Sequence, residues 1–148
     1  TLITHFNHPK EISAEVVIAA QRLRAAGLIL LNQSVLLRGV NDDPHTLREL
    51  SYGLSRLGVI PYYLHHPDLT RGTHHFRRSL SDGLALYRQL RGQLSGYLIP
   101  RYVIEIPGGG GKVEVDSGSV QAGERLGEWW FKSPLTQELY HYFDLAHE

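Results

Sequence analysis

The sequence predicts an α/β protein in which parallel strands alternate with helices. Over residues 1–115, short apolar runs alternate with segments whose apolar residues recur at helical spacing, and a glycine follows each helical segment. Hydrophobic residues make up 42% of the chain and charged residues 20%, which is typical of a folded domain. Residues 116–148 are rich in turns and aromatic side chains, which predicts a small β-rich tail as a second unit.

The start of the chain predicts two strands with a helix between them. Residues 2–6 form the first apolar run, and Ser13 is a suitable N-cap for a helix that Gly27 ends. The continuous apolar run over residues 28–33 is typical of a strand that is buried on both faces. A helix of about a dozen residues between two such strands indicates a parallel βα unit.

The same unit is predicted again further along the chain. Asp42 or Asp43 can cap a second helix, whose first turn holds Pro44 and which Gly58 ends. The run over residues 59–64 then predicts the third strand.

A third helix and a fourth strand complete the alternating pattern. Ser79 or Ser81 is expected to begin the helix, which runs through Leu94, and residues 102–106 predict the strand. In the tail, two aromatic runs over residues 128–132 and 138–144 predict a β-hairpin.

Composition excludes several classes of function. The formal net charge is zero, which argues against a broad electrostatic surface for nucleic acid or anionic membrane. No apolar run is long enough to span a bilayer, and a cytoplasmic location is expected. The chain has no cysteine, so it offers no thiolate ligand to a metal. It begins at Thr1 and contains no methionine, which indicates a piece of a longer protein.

Polar side chains gather where the four predicted strands end, as expected of a site at the carboxyl edge of a parallel sheet. These residues are His5, Asn7, His8, Asn32, Gln33, Arg38, His65, His66, Asp68, Arg71, Glu105 and Lys112. Adjacent histidines on an extended segment point to opposite faces, so each histidine pair offers at most one ligand and no metal site is expected.

The four glycines before Lys112 allow two interpretations. They do not form a P-loop, because Ile106 stands where glycine is needed and Val113 where Ser or Thr is needed. Gly108 to Gly111 can form a wall free of side chains, beside which Lys112 reacts with an aldehyde such as pyridoxal phosphate. Alternatively, the run is a flexible surface turn that happens to end in lysine.

Two carboxylates also allow two interpretations. Asp68 and Glu105 follow neighbouring predicted strands and together can bind an ammonium group of a substrate. Alternatively, they form ordinary salt bridges with Arg71 or Arg101.

Several motifs in unbroken order between residues 1 and 115 resemble the lysine 2,3-aminomutase family, a group of radical S-adenosylmethionine enzymes that also use pyridoxal phosphate. The motifs are T-H-F-N-H-P-K-E-I, L-N-Q-S-V-L-L-R-G-V-N-D-D, P-Y-Y-L, D-L-T-R-G, H-H-F-R, S-G-Y-L-I-P and P-G-G-G-G-K. The resemblance implies that residues 1–115 are the C-terminal half of a partial (βα)6 radical-SAM barrel with parallel strands, followed by a small β appendage.

The resemblance also implies roles for individual residues. Lys112 would hold pyridoxal phosphate covalently, with Gly108, Gly109, Gly110 and Gly111 lining the cofactor. Asp68 and Glu105 would bind the side-chain ammonium of lysine. His5 and Gln33 would lie near S-adenosylmethionine, and His65 would take the place of a tyrosine near the pyridoxal ring.

The implied reaction is radical migration of an amino group that converts lysine to β-lysine, in a homo-oligomeric full-length protein. The family's [4Fe-4S] cluster needs a C-x3-C-x2-C motif, so its ligands are not in this chain, which is expected to be inactive alone. A structural zinc is not expected either, because Asp43 stands where some members have cysteine.

Alternatives are the lysine mutases that modify elongation factor P, and a non-catalytic remnant or split subunit that binds pyridoxal phosphate. A glutamate mutase is disfavoured because two acids would repel a carboxylate.

Overall fold

The computed structural model describes residues 1–144, and the last four residues of the predicted tail lie outside the described residues. Its main sheet has five strands within that range, in the same order in space as along the chain. They are β1 (Leu2–Thr4), β2 (Leu30–Val35), β3 (Val59–His65), β4 (Arg101–Ile106) and β5 (Gly111–Glu114). Strands β1 to β4 pair in parallel, as predicted, whereas β5 returns antiparallel to β4.

Residues 1–144 contain three α-helices: α1 (Ala14–Ala25), α2 (Pro44–Arg56) and α3 (Leu80–Arg91). Each has a side-chain N-cap, and the caps are Ser13, Asp43 and Ser79. The prediction of Ser13 is confirmed, and the open choices at the other two helices are settled by these contacts.

Three predicted elements differ from the structure by two residues or more at an end. The second strand covers Leu30–Val35 instead of residues 28–33. The first strand ends at Thr4 because the amide of Phe6 donates to the Asn32 side chain at 2.8 Å instead of continuing the ladder. Helix α3 ends at Arg91, three residues before Leu94, because the amide of Gln93 bonds to the carbonyl of Leu90, three residues back, instead of continuing the i→i−4 pattern.

The described helices cover one face of the main sheet. Leu30 and Val59 pack in one apolar cluster with residues of α1 and α2, and Leu64 and Ile104 pack in a second cluster with α2 and α3. Side chains alternate along a strand, so the neighbouring residues point to the opposite face. Ile60 is 49% exposed on that face, which no described helix covers.

The predicted aromatic hairpin is confirmed, and it belongs to a second sheet of three antiparallel strands within the described residues. These are β6 (Val120–Ala122), β7 (Glu128–Lys132) and β8 (Leu139–Phe143). Strand β6 was not predicted because its three residues are too short for an alternating pattern. Phe131 and Tyr142 are buried in the same cluster as Leu80 and Ile106, so the tail shares its core with the main sheet.

Within residues 1–144, no helix has both the length and the apolar character needed to cross a membrane.

Buried His66 makes the stability of this fold depend on pH. Its Nδ1 lies 2.7 Å from the hydroxyl of Tyr102, and the residue is 3% exposed. Burial disfavours the imidazolium ion and, with the nearby charge of Arg77, lowers the pKa of His66 to about 3. The unfolded chain binds this proton below about pH 6.5 and the folded chain does not, so stability is lost as pH falls.

We therefore expect the free energy of unfolding to fall between about pH 6.5 and 3, and to fall less steeply in a His66→Gln variant. Urea titrations at several pH values measure this slope. His74→Gln is the control, because His74 is exposed. Equal slopes in all three proteins would show that His66 does not control the pH dependence.

Candidate functional site

The glycine run forms the turn between β4 and β5. Gly108, Gly109 and Gly111 have φ of 80°, 86° and 88°, a conformation that strains residues with a Cβ. The turn reverses the chain so that Lys112 lies directly opposite Glu105 in the antiparallel ladder. A Cβ added at Gly108 or Gly109 would meet no atom within 4 Å, so the backbone beside Lys112 is open.

The Lys112 ammonium lies between a carboxylate and an aromatic ring. Its Nζ is 3.2 Å from Oε1 of Glu105 and 4.5 Å from the ring centroid of Tyr63. Both contacts favour a cation at this position. No role was predicted for Tyr63, because only the register of β3, β4 and β5 brings it near Lys112.

His65 lies at the end of β3 in the same neighbourhood. Its Nε2 is buried without a hydrogen-bond partner among residues 1–144. Burial lowers the pKa of His65 and nearby Lys112 lowers it further, while Glu105 and Asp68 act in the opposite direction. The imidazole is therefore neutral at pH 7, and the charges of Lys112, Glu105 and Asp68 all affect its pKa.

The two predicted carboxylates line one cavity. This cavity has a volume of about 290 Å³ at the carboxyl ends of β3 and β4, and Asp68 and Glu105 both contribute to its wall. The remaining wall consists of Pro67, Leu69, Thr70, Ile104, Ile106, Pro107 and Tyr142. Lys112 does not line the cavity, but it contacts Glu105, which does.

The arginine partners considered for these carboxylates are not used. Arg101 lies 3.5 Å from Glu114 instead, across the same hairpin. Within the described part of the chain, neither Asp68 nor Arg71 takes part in an ion pair. Among the described residues, the Asp68 carboxylate therefore meets no arginine, whereas the Glu105 carboxylate is paired with Lys112.

His5 and Gln33 lie further along the same uncovered face. Gln33 is paired in register with Tyr63, just after an irregularity in the β2–β3 ladder. His5 is exposed immediately after β1, and its charge influences His65. Buried Asn32, between them in the sheet, accepts from the amide of Phe6 and the hydroxyl of Thr4, which holds this edge in place.

No group of three or more His, Cys, Asp or Glu side chains among residues 1–144 is arranged to hold a metal ion.

Comparison with known sequences shows which family the chain resembles. The family model described as "Lysine-2,3-aminomutase" matches residues 87–122, which include the glycine turn and Lys112. The L-lysine 2,3-aminomutase of Clostridium subterminale is 51% identical over 114 residues, 77% of this chain and 27% of the relative. A putative L-lysine 2,3-aminomutase of Aquifex aeolicus is 45% identical over 140 residues, 94% of this chain and 37% of the relative. The chain belongs to the lysine 2,3-aminomutase family.

Family membership leaves the substrate open. The glutamate 2,3-aminomutase of Clostridioides difficile is 46% identical over 109 residues, 74% of this chain and 26% of that relative. The chain spans between 26% and 37% of the length of these three relatives. What the whole relatives do is therefore a basis for proposals about this chain.

The contact between Glu105 and Lys112 predicts a change in amine reactivity. Glu105→Gln removes the carboxylate that holds the Lys112 side chain at 3.2 Å, so the amine should be acylated faster at one fixed pH. A partly exposed pair contributes less than about 1 kcal/mol, so the rate should rise by no more than about fivefold. Peptide mass mapping after timed acylation measures the rate, with Lys10 and Lys132 as internal references.

Glu114→Gln is the matched control, because the side chains of Glu105 and Glu114 are both 53% exposed on the same hairpin. Equal acylation rates of Lys112 in the two variants would contradict a specific role of Glu105.

Proposed function

We propose that this chain provides the pyridoxal phosphate site and the substrate ammonium site of an aminomutase that converts L-lysine to β-lysine. The observation that carries the proposal is the Lys112–Glu105 contact, because it links an accessible amine to a residue of the cavity that Asp68 also lines. Membership of the lysine 2,3-aminomutase family supports the reaction type.

The residues around Lys112 fit pyridoxal phosphate. The lysine side chain is 30% exposed, so its amine is accessible to an aldehyde. The backbone at Gly108 and Gly109 is open to a planar ring, and the buried Nε2 of neutral His65 is available to a polar ring substituent. When bound, pyridoxal phosphate supplies an aldehyde that captures amines and a conjugated ring that delocalises charge or an unpaired electron.

In this proposal, Glu105 binds two cations, the Lys112 ammonium and the side-chain ammonium of the substrate. In the free chain it holds the Lys112 ammonium at 3.2 Å. Together with Asp68 it also forms the charged wall of the cavity, where it can bind the side-chain ammonium of a substrate. Holding both ends of the substrate places its reacting carbons in one position, which is the main contribution a protein makes to such a rearrangement.

S-adenosylmethionine and the iron–sulfur cluster complete the proposed reaction. We place S-adenosylmethionine against the uncovered face of the sheet, near His5 and Gln33. The cluster must be bound by sequence outside this chain, because the chain contains no cysteine.

Lysine fits the cavity better than glutamate. Asp68 has no ion-pair partner among residues 1–144, so the wall offers a carboxylate to the substrate's distal group. A second carboxylate at that position would be repelled, whereas an ammonium would be attracted.

The first test is covalent trapping of the cofactor. Borohydride reduction of the purified 148-residue chain with pyridoxal phosphate should leave a pyridoxyl adduct on Lys112, located by peptide mass mapping. Lys112→Arg should abolish the adduct, since a guanidinium does not react with the aldehyde. Lys132→Arg is the control and should leave labelling of Lys112 unchanged. Labelling spread over all three lysines would count against the proposed cofactor site.

The second test concerns the distal ammonium. In the pyridoxal phosphate-loaded chain, Asp68→Asn should weaken binding of lysine by about threefold to tenfold, the range for one exposed charged contact. Binding is followed by the change in cofactor absorbance on titration. Norleucine, which lacks the side-chain ammonium of lysine but keeps its α-amino group, should bind both proteins equally. If the variant loses lysine and norleucine binding to the same extent, Asp68 does not recognise the ammonium.

A further inference from the structure

The tail is tied to the glycine turn by one buried serine. Ser133, between β7 and β8, is completely buried, and its hydroxyl donates to the carbonyl of Gly110 at 2.7 Å. The same oxygen accepts from the amides of Leu135 and Thr136, each at 3.1 Å. The hydroxyl therefore orders the β7–β8 turn and holds that turn against the glycine backbone.

Side chains of the tail also pack directly on the glycines. A Cβ placed on Gly111 would lie 3.1 Å from the side chain of Leu135, and one placed on Gly110 would lie 3.1 Å from the ring of Tyr140. The tail therefore approaches the backbone of both glycines closely. Glycine is also favoured at these positions by Ile106, which would lie 2.6 Å from a Cβ on Gly110, and by the φ of 88° at Gly111. Gly108 and Gly109 have no such neighbours and remain open.

These contacts from the tail support the glycine turn directly before Lys112, the residue to which the proposed cofactor binds. Four consecutive glycines have more conformational freedom than any other tetrapeptide, so an unsupported run would leave the next residue poorly positioned. Strand β5 contains four residues and pairs only with β4 within residues 1–144. The position of Lys112 therefore depends on what fixes the turn before it.

We propose that Ser133 is a positioning residue, which holds the glycine turn so that Lys112 stays between Glu105 and Tyr63. The aromatic tail then helps to form the cofactor site, in addition to covering the apolar core of the fold. This inference rests on the proposed function for its meaning, but the contact itself can be tested without any cofactor.

The direct test is amide hydrogen–deuterium exchange in the whole chain. In Ser133→Ala, peptides that cover residues 108–112 should exchange several-fold faster than in the wild type. Ser117→Ala is the matched control, because Ser117 also donates its hydroxyl to a carbonyl, that of Glu114 at 2.6 Å, outside the glycine turn. Unchanged exchange over residues 108–112 in Ser133→Ala would overturn the proposal.

Helix α2 serves as a reference for global stability in the same experiment. An equal increase over residues 44–56 would show that Ser133 supports the whole fold, and would overturn its local role. Leu135→Ala is a second variant that should fold normally, because Leu135 is 72% exposed. It should also accelerate exchange over residues 108–112, since its side chain covers Gly111.

Cofactor trapping separates this inference from the proposed function. If wild-type Lys112 is labelled, the Ser133→Ala variant should be labelled more slowly than Ser117→Ala at the same pyridoxal phosphate concentration. Equal rates would overturn the positioning role and leave the cofactor site intact. If wild-type Lys112 is not labelled, the proposed function fails, and the exchange data still decide whether Ser133 holds the turn.

Discussion

The antiparallel ladder between β4 and β5 is the constraint on which the site depends. It places Lys112 opposite Glu105, and it can form only because the glycine turn adopts backbone conformations that other residues resist. A shift of one residue in this register would send Lys112 to the opposite face, into the apolar cluster that contains Ile104 and Val113. The ladder therefore decides both that the amine is accessible and which carboxylate it meets.

One-sided coverage of the main sheet determines where the rest of the site lies. The described helices and the tail pack on the face of the main sheet that carries Leu64, Ile104 and Val113. Period-two alternation then directs Gln33 and His65 to the other face, along with Lys112. Polar residues from separate motifs thus share one surface. In β3 this also needs the irregularity of the β2–β3 ladder, because strict alternation from Val59 would turn His65 to the covered face.

Local signals predicted the elements well, but they could not predict the contacts between them. Caps such as Ser13 and the glycine after each helix depend on nearby residues, so they are visible in the sequence. The contact of Tyr63 with Lys112 depends on the register of three strands. The contact of Ser133 with Gly110 depends on how the tail folds back. Neither contact produces a periodic pattern in the sequence. The glycine run is a turn whose backbone is open only at Gly108 and Gly109, so the turn does not by itself exclude the interpretation as a cofactor wall.

In the function proposed above, the charges around the cavity favour a cationic ligand. Lys112 contributes one positive charge, Glu105 and Asp68 contribute two negative charges, and His65 is neutral at pH 7 because burial lowers its pKa. The local sum is therefore negative by one charge. A protonated His65 would cancel that excess, so the burial of its ring preserves the preference for a cation. A ligand with a distal ammonium completes the balance, whereas one with a distal carboxylate would add a third negative charge to the wall.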